Sequence, residues 1–338
     1  MDRVDLDTQV RLTRELVDID STTGREGAVA SRVAGLLRSL GYAVQEQPVS
    51  GDRINVFATL GASPVVVFST HLDCVPPFFG SRVESGRIYG RGTCDAKGIA
   101  VAEIAAVERL RAAGVTNVGL LFVVGEERGS DGAKAANTIA PGSAYLINGE
   151  PTDCRLASAT RGLYRVRLHA TGRAAHTSQP QLGESAIEKL VDAICALRPV
   201  RWPSDPDLGT TFYTVGMMKG GVAPNVVPFA AEAEVLFRTV GDPAPLRALV
   251  QTAVGDGIAI EDVFVVPPVR LRTVPGVDSA VFNFTTDIPF LDRWGTPLLL
   301  GPGSVTKAHT DDEYVEIAEL VRVVDQYVDV ARHLLGAS

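Results

Sequence analysis

Hydrophobic and polar positions follow two different periodicities along this chain. In residues 8–19 and 26–41, apolar residues recur every three or four positions, which predicts amphipathic helices. The second segment ends at Gly41, and glycine is favoured just after the C-terminus of a helix. Short apolar runs separate the helical segments, as in α/β proteins whose parallel strands are buried on both faces. We therefore expect an α/β protein with a mixed, mostly parallel sheet and helices on both faces.

Polar side chains come directly after four of the apolar runs. These four predicted strands cover residues 64–70, 118–124, 143–147 and 296–300. The side chains after them carry imidazole or carboxylate groups, and in chain order they are His71, Asp73, Glu126, Glu127, Glu150 and His309. Ligands of open α/β sheets bind beyond the carboxyl ends of the strands, so we expect these groups to converge on one site.

Residues 163–266 have a different pattern. Segments that alternate apolar and polar residues flank two segments of helical spacing, in the order β-α-β-β-α-β. This order predicts an antiparallel sheet with two helices on one face. We therefore expect 163–266 to form an inserted α+β domain, while 1–162 and 267–338 form the main domain. The main domain is predicted to end in an amphipathic helix over 319–335.

Composition excludes several classes of protein. The 338 residues include 32 Lys and Arg against 40 Asp and Glu, a formal net charge of −8, and no basic block occurs. Nucleic acid is therefore not an expected partner. No apolar run approaches the ~20 residues of a membrane span, so we expect no membrane partner and a cytoplasmic location. The four cysteines form no CxxC pair, which favours reduced thiols over a disulfide framework.

The imidazole and carboxylate groups have the composition of a metal centre. Asp95, just before a helical segment, joins the set, although alone it would be an ordinary first-turn acid. Two imidazoles and three carboxylates would suit two divalent cations bridged by one carboxylate, and they are His71, Asp95, Glu127, Glu150 and His309. Nitrogen and oxygen ligands favour zinc, with cobalt or manganese as substitutes. Asp73 is placed to orient His71, and Glu126 to act as general base and acid.

Five segments resemble those of the M20 metallopeptidases in order and spacing: "STHLDCVPP", "GRGTCDAKG", "GEERGSDG", "INGEPT" and "GPGSVTKAHTDDEY". This family includes acetylornithine deacetylase, succinyl-diaminopimelate desuccinylase, aminoacylase and carboxypeptidase G. The resemblance implies a di-zinc aminopeptidase-like catalytic domain interrupted by a dimerisation or lid domain. It also implies that Asp95 bridges the zinc ions, with His71 and Glu150 in one ligand set and Glu127 and His309 in the other.

The resemblance assigns three further residues inside the insert. His176, in "TGRAAHTSQP", would stabilise the oxyanion of the reaction across a homodimer that the inserted domain forms. Asn225 and Arg238, in "GGVAPNVVPFAAEAEVLFR", would bind the carboxylate of a small N-acyl amino acid, and a guanidinium suits that task because it binds carboxylates bidentately. Structural alternatives stay open, since His176 could be a loop residue and Arg238 a salt-bridge partner.

The last motif and "TTDIPF" are most similar to the acetylornithine deacetylase branch, so we predict a deacetylase of arginine or lysine biosynthesis. Alternatives are a hydrolase that releases lysine or ornithine from an amino-group carrier protein, a succinyl-diaminopimelate desuccinylase and a dipeptidase. A non-catalytic binding protein with this fold is a further alternative, but it would not need Glu126. Cys74 and Cys94 depart from the family pattern beside the ligands, and we expect both to be packed, neutral thiols.

Overall fold

The computed structural model describes residues 4–61 and 63–336. The chain forms two compact units. The first comprises the described parts of Met1–Ser158, Leu271–Ala280 and Thr286–Ser338, and the second comprises Ala159–Arg270 and Val281–Thr285. The predicted insert, 163–266, lies inside the longer segment of the second unit.

The predicted amphipathic helices are present. In the described residues the α-helices are α1 (Leu6–Val17), α2 (Gly27–Ser39), α3 (Gly98–Ala112), α4 (Asp131–Ala136), α5 (Ala186–Leu197), α6 (Pro243–Val254) and α7 (Ile317–Leu335). Asp5 caps α1, because its carboxylate accepts a hydrogen bond from the Thr8 amide at 3.0 Å. After α2 the chain turns at Gly41, whose φ of 88° is favourable for glycine. No described helix has the length and apolar character of a membrane span.

Strands of the first unit form a six-stranded sheet and a smaller three-stranded sheet. Their bounds are β1 (Ala43–Ser50), β2 (Arg53–Thr59), β3 (Val66–His71), β4 (Arg82–Glu84), β5 (Arg87–Tyr89), β6 (Val118–Val123), β7 (Tyr145–Asn148), β17 (Thr296–Leu299) and β18 (Tyr314–Glu316). The large sheet has the order β1-β2-β6-β3-β7-β17. Its last four strands are parallel to one another, and β2 is antiparallel to both neighbours. These four are the strands that the apolar runs predict.

Both faces of the large sheet are buried. Phe68 of β3 packs into a core that includes side chains of α1, α2, α3 and α7, whereas its neighbour Val67 faces a second core with α4 and Trp294. Adjacent strand residues point to opposite faces, so continuous apolar runs are needed where helices cover both. The prediction of a mixed, mostly parallel sheet with helices on both faces is confirmed.

The second unit is built around a four-stranded antiparallel sheet. The strands here and at its junctions are β8 (Leu156–Thr160), β9 (Gly162–Thr171), β10 (Ser204–Asp205), β11 (Gly209–Thr210), β12 (Phe212–Gly220), β13 (Ala230–Thr239), β14 (Ile258–Val266), β15 (Val269–Arg270) and β16 (Ser279–Phe282). The sheet order is β12-β13-β9-β14. Helices α5 and α6 pack on one face, where Val166 and Val235 lie in their core. The β-α-β-β-α-β order of the insert is therefore confirmed.

Candidate metal centre

The carboxyl ends of parallel strands place the candidate ligands at one edge of the large sheet. His71 is the last residue of β3, and Glu150 lies two residues after β7. Glu127 sits in a short turn after β6, and His309 in the loop after β17. Asp95 comes from the turn at Thr93–Lys97, immediately before α3. The convergence that the strand pattern predicts is thus present in the first unit.

Asp95 lies between the two imidazoles. Its Oδ1 is 2.9 Å from Nε2 of His71, and its Oδ2 is 3.2 Å from Nε2 of His309. Glu127 Oε1 is 2.9 Å from His309 Nε2, and Glu150 Oε2 is 3.9 Å from His71 Nε2. Two groups result, each with ligand atoms within 4.8 Å of one another, and Asp95 belongs to both.

Burial of these groups fits cation binding. His71, Asp95 and Glu150 are at most 8% exposed, and Oε1 of Glu150 is buried without a hydrogen-bond partner among the described residues. A buried carboxylate oxygen without a partner is costly, and a divalent cation would satisfy it. The donor set of imidazole nitrogens and carboxylate oxygens matches the ligands of zinc and related metals.

The neighbouring carboxylates raise the pKa of both candidate histidine ligands. Burial lowers the pKa of His71, but its contacts with Asp73 and Asp95 outweigh burial and leave the pKa well above the ordinary value. Hydrogen bonds with Asp95 and Glu127 raise the pKa of His309 to about 10. Without bound metal, the neighbouring carboxylates therefore favour the positively charged form of both imidazoles.

Glu126 lies beside the ligands with its carboxyl group in a poorly solvated environment. Burial, followed by the charge of Glu150, raises its pKa well above the ordinary value. Asp73 fixes the backbone here, because its Oδ1 accepts from the amide of Glu126 at 3.1 Å and its Oδ2 from that of Glu127 at 3.2 Å. The carboxylate also lies 3.4 Å from Nδ1 of His71, so Asp73 contacts both the imidazole and the glutamate turn.

The glutamate turn depends on one glycine. Gly125 has a φ of 79°, and a Cβ at this position would clash with Asp131 and Arg53. Arg53 binds the carboxylates of Glu26 and Asp131, with the closest approach to Asp131 at 2.6 Å. This ion-pair cluster packs against the turn and leaves space only for glycine.

Glu313 is a buried residue that the sequence analysis did not single out. Its Oε1 accepts hydrogen bonds from the backbone amides of Gly92, Cys94 and Asp95 at 2.9, 3.1 and 3.2 Å. Its Oε2 accepts from Nη1 of Arg91 at 2.6 Å. Glu313 therefore fixes the turn that presents Asp95. In the sequence it is one of three acids in "TDDEY", and nothing in the pattern distinguishes it.

Two other buried carboxyl groups lie near the site. Burial raises the pKa of Asp287 to about 7, and its Oδ1 has no hydrogen-bond partner among the described residues. Glu103, inside α3, is fully buried with both oxygens unpartnered in the described residues, and burial raises its pKa well above the ordinary value. Burial without a partner therefore favours the protonated, neutral form of Glu103.

The cysteines beside the ligands are free and buried. Burial raises the pKa of both Cys74 and Cys94, and Sγ of Cys94 donates a hydrogen bond to the carbonyl of Ser304 at 3.4 Å. Neither thiol belongs to the two groups of potential metal ligands. Both are neutral packing groups at pH 7.

The three site residues predicted within the insert belong to the second unit. His176 pairs with Val226 in a short bridge, and the amide of Thr177 donates to the carbonyl of Asn225 at 3.3 Å, so these two segments are adjacent. His176 Nδ1 lies 2.8 Å from Oγ of Ser178. Arg238 is on β13, and its Nη1 is buried without a hydrogen-bond partner among the described residues.

Comparison with known proteins agrees with this fold. Residues 67–333 match the model of peptidase family M20/M25/M40. A probable carboxypeptidase of Aspergillus clavatus is 36% identical, over 93% of this chain and 80% of the relative. A tripeptidase structure from Staphylococcus aureus superposes with a TM-score of 0.79 at 21% identity, covering 98% of both chains. A Bacillus subtilis structure described as a dinuclear metal-binding peptidase of family M20 gives 0.70 at 13% identity, covering 98% and 99%.

The fold and the matched relatives define a metallopeptidase-type hydrolase that acts on amide bonds. The chain belongs to peptidase family M20/M25/M40, and the family resemblance of its five sequence segments is confirmed.

We expect Glu313→Gln to weaken metal binding by ~10–100-fold, the usual effect of losing a group that orients a ligand. The glutamine amide would present N–H groups to Arg91, so the contacts that fix the Asp95 turn could not all form. Isothermal titration with zinc or cobalt measures the effect. Glu316→Gln is the matched control, because Glu316 forms a surface ion pair with Arg87. Equal metal affinities in both variants would contradict the assignment.

Proposed function

We propose that this protein is a dinuclear metal hydrolase that releases an amino acid with a free carboxylate from its peptidyl or N-acyl form. The observation that carries this proposal is the placement of Asp95, which directs one carboxylate oxygen to His71 and the other to His309. A carboxylate shared in this way is suited to bridging two cations, for which we propose zinc, with cobalt or manganese as substitutes. The Bacillus subtilis neighbour described as dinuclear supports the same stoichiometry.

Each candidate residue then has a definite task. His71 and Glu150 would hold one cation, Glu127 and His309 the other, and Asp95 both. The bound pair would supply Lewis-acid chemistry, polarising an amide carbonyl and making water more acidic. Glu126 would accept the proton of the attacking water and deliver it to the leaving nitrogen, a transfer favoured by its raised pKa. The roles of His176 at the oxyanion and of Asn225 and Arg238 at the substrate carboxylate form part of the proposal.

The relatives favour a peptide as substrate. Release of a C-terminal amino acid from a peptide and removal of an acetyl group from an N-acetyl amino acid cleave the same bond, the amide next to the free carboxylate. The 36% identical relative is named a probable carboxypeptidase, which supports the peptidyl form. Acetylornithine deacetylase, the narrower prediction from the sequence, stays a prediction.

A substrate panel tests the reaction. Zinc-loaded protein would be assayed against N-acetylornithine, N-succinyl-diaminopimelate, a dipeptide, and the same dipeptide with an amidated C-terminus. We expect the free dipeptide to be hydrolysed. The amidated dipeptide should be hydrolysed much more slowly, because amidation removes its C-terminal carboxylate. Preference for N-acetylornithine would instead establish the deacetylase. Absence of turnover of every amide by fully metallated protein would contradict the proposal and favour the binding protein.

The adjacent glutamates should differ when each is replaced. Glu126→Gln should keep its metal content and lose at least ~10²-fold in kcat, because it loses only the proton acceptor. Glu127→Gln should lose metal as well, because Glu127 contacts His309 in one ligand group. Metal analysis of the purified variants beside a rate measurement makes the comparison. Equal metal loss in the two variants would overturn the division of roles.

We also propose that two copies pair through β12 to form a homodimer. This strand ends the sheet of the second unit, and it exposes Phe212, Met217 and Met218, each at least 44% accessible. An exposed apolar edge strand can pair with a strand of another molecule. Antiparallel pairing of the same edge strand from two copies gives a closed dimer with two-fold symmetry.

Charge placed on this edge should weaken the dimer. Met218→Lys should raise the dimer dissociation constant by at least ~10-fold, because a lysine on an edge strand opposes pairing. Sedimentation equilibrium over a range of protein concentrations measures it. Val265→Lys is the control, since Val265 is an exposed residue of β14, at the opposite edge of the same sheet. A native protein that is monomeric throughout would exclude the pairing.

A further inference from the structure

Three arginines of the second unit have buried guanidinium nitrogens without acceptors. Nε of Arg161, Nε of Arg165 and Nη1 of Arg238 are inaccessible to solvent and have no hydrogen-bond partner among the described residues. The guanidinium groups of Arg165 and Arg238 form no hydrogen bond or ion pair among the described residues, and that of Arg161 donates only to the carbonyl of Thr210, at 2.6 Å. A buried donor nitrogen without an acceptor is unfavourable, because it has lost its hydrogen bonds to water.

The strand register brings the three side chains to one region of the sheet. Residues 163, 165 and 167 of β9 point away from the core with α5 and α6, as does Arg238 of β13. Arg238 is opposite Leu163, and Arg165 is opposite Leu236, so the two arginines are diagonal neighbours on this face. Such neighbours are roughly 7–8 Å apart at the backbone, within reach of long side chains.

Arg161 joins the other two through Phe212. The guanidinium of Arg161 lies over the Phe212 ring, with Cζ 5.1 Å from the ring centroid. Phe212 is directly opposite Arg238 in the register of β12 and β13, so both lie on the same face. We call Arg161, Arg165 and Arg238 the arginine cluster.

The acids nearest to the arginine cluster already have other cations. Glu234 lies two residues before Leu236 on the same face of β13, and it binds Arg167 at 2.7 Å. Asp205 and Asp207 of the hairpin beside Thr210 bind Arg270 at 2.8 and 2.6 Å. None of the three guanidinium groups therefore forms an ion pair of its own among the described residues, although Arg165 acts with Arg167, the larger cause, to lower the pKa of Glu234. Guanidinium groups bind carboxylates bidentately, so they are suited to an external anion.

We propose that the arginine cluster is a binding site for a ligand with two carboxylates, an acidic amino acid such as glutamate or aspartate. One carboxylate compensates a single guanidinium, whereas two on one ligand compensate neighbouring guanidiniums together. The inference rests on the proposed function for the kind of ligand, since an amino acid is the product of that hydrolysis. To the proposed function it adds that the released amino acid has an acidic side chain, and that Arg161 and Arg165 are the residues that select this side chain.

Equilibrium binding of the amino acid products tests the site without requiring turnover. Metal-loaded, full-length protein would be titrated calorimetrically with L-glutamate and with L-glutamine, which has the same shape and lacks the second charge. We expect glutamate to bind at least ~10-fold more tightly, as a charge-assisted contact predicts. Arg165→Gln should bring the ratio close to one, and Arg165→Lys should restore part of it. Failure of the hydrolysis assay would leave this binding measurement unaffected, so the two proposals fail separately.

Arg167→Gln is the matched control, because Arg167 lies on the same strand and face but is paired with Glu234 and Glu261. It should retain the preference for glutamate, and thermal melting would verify that each variant is folded. Equal binding of glutamate and glutamine by the native protein would overturn the proposal. So would an unchanged ratio in Arg165→Gln, which would place the second carboxylate elsewhere. Inorganic phosphate that binds more tightly than glutamate, with the same dependence on Arg165, would show a general dianion site instead.

Discussion

Buried negative charge is the constraint on which the rest of this structure depends. Asp73, Asp95 and Glu150 are buried at one sheet edge, where water screens them poorly, and Glu126 lies beside them in a partly buried position. Burial raises the pKa of both Glu126 and Glu150, and neighbouring carboxylates raise it further. Repulsion among such groups is relieved either by protonation or by cations. A pair of divalent cations would remove the need for protonation, so the same residues that destabilise the apo site define a metal centre.

Two carboxylates that are not candidate ligands hold this arrangement in place. Glu313 accepts hydrogen bonds from three backbone amides of the Asp95 turn, and Asp73 accepts from both amides of the glutamate turn. Hydrogen bonds from backbone N–H groups stabilise the negative charge of a carboxylate. The same bonds fix the conformation of the turn to which these N–H groups belong. The ligand geometry is therefore determined by hydrogen bonds between backbone and buried acids, before any metal binds.

Sequence pattern predicted the part of the site that the sheet determines. The runs that became β3, β6, β7 and β17 are apolar because helices cover both faces, and the parallel order places the residues after each run at one edge. Glu313 escaped prediction because its partners are backbone amides more than 200 residues away in the sequence, at separations of 218 to 221. Arg165 escaped for a related reason: whether an arginine has a partner depends on cross-strand register, which periodicity alone does not give.

Glu126 and Glu127 are neighbours in the sequence but have different surroundings, and this difference results from the turn after β6. Each amide donates to a different oxygen of Asp73, so one carboxylate holds both residues, while the positive φ of Gly125 turns the chain away from β6. Glu127 then lies against His309, and among the described residues no hydrogen bond holds the carboxylate of Glu126. A carboxylate held by an imidazole is suited to binding a cation in a fixed geometry. A neighbouring carboxyl group with a raised pKa and no such anchor remains free to take up and release a proton, so a single turn provides for both roles.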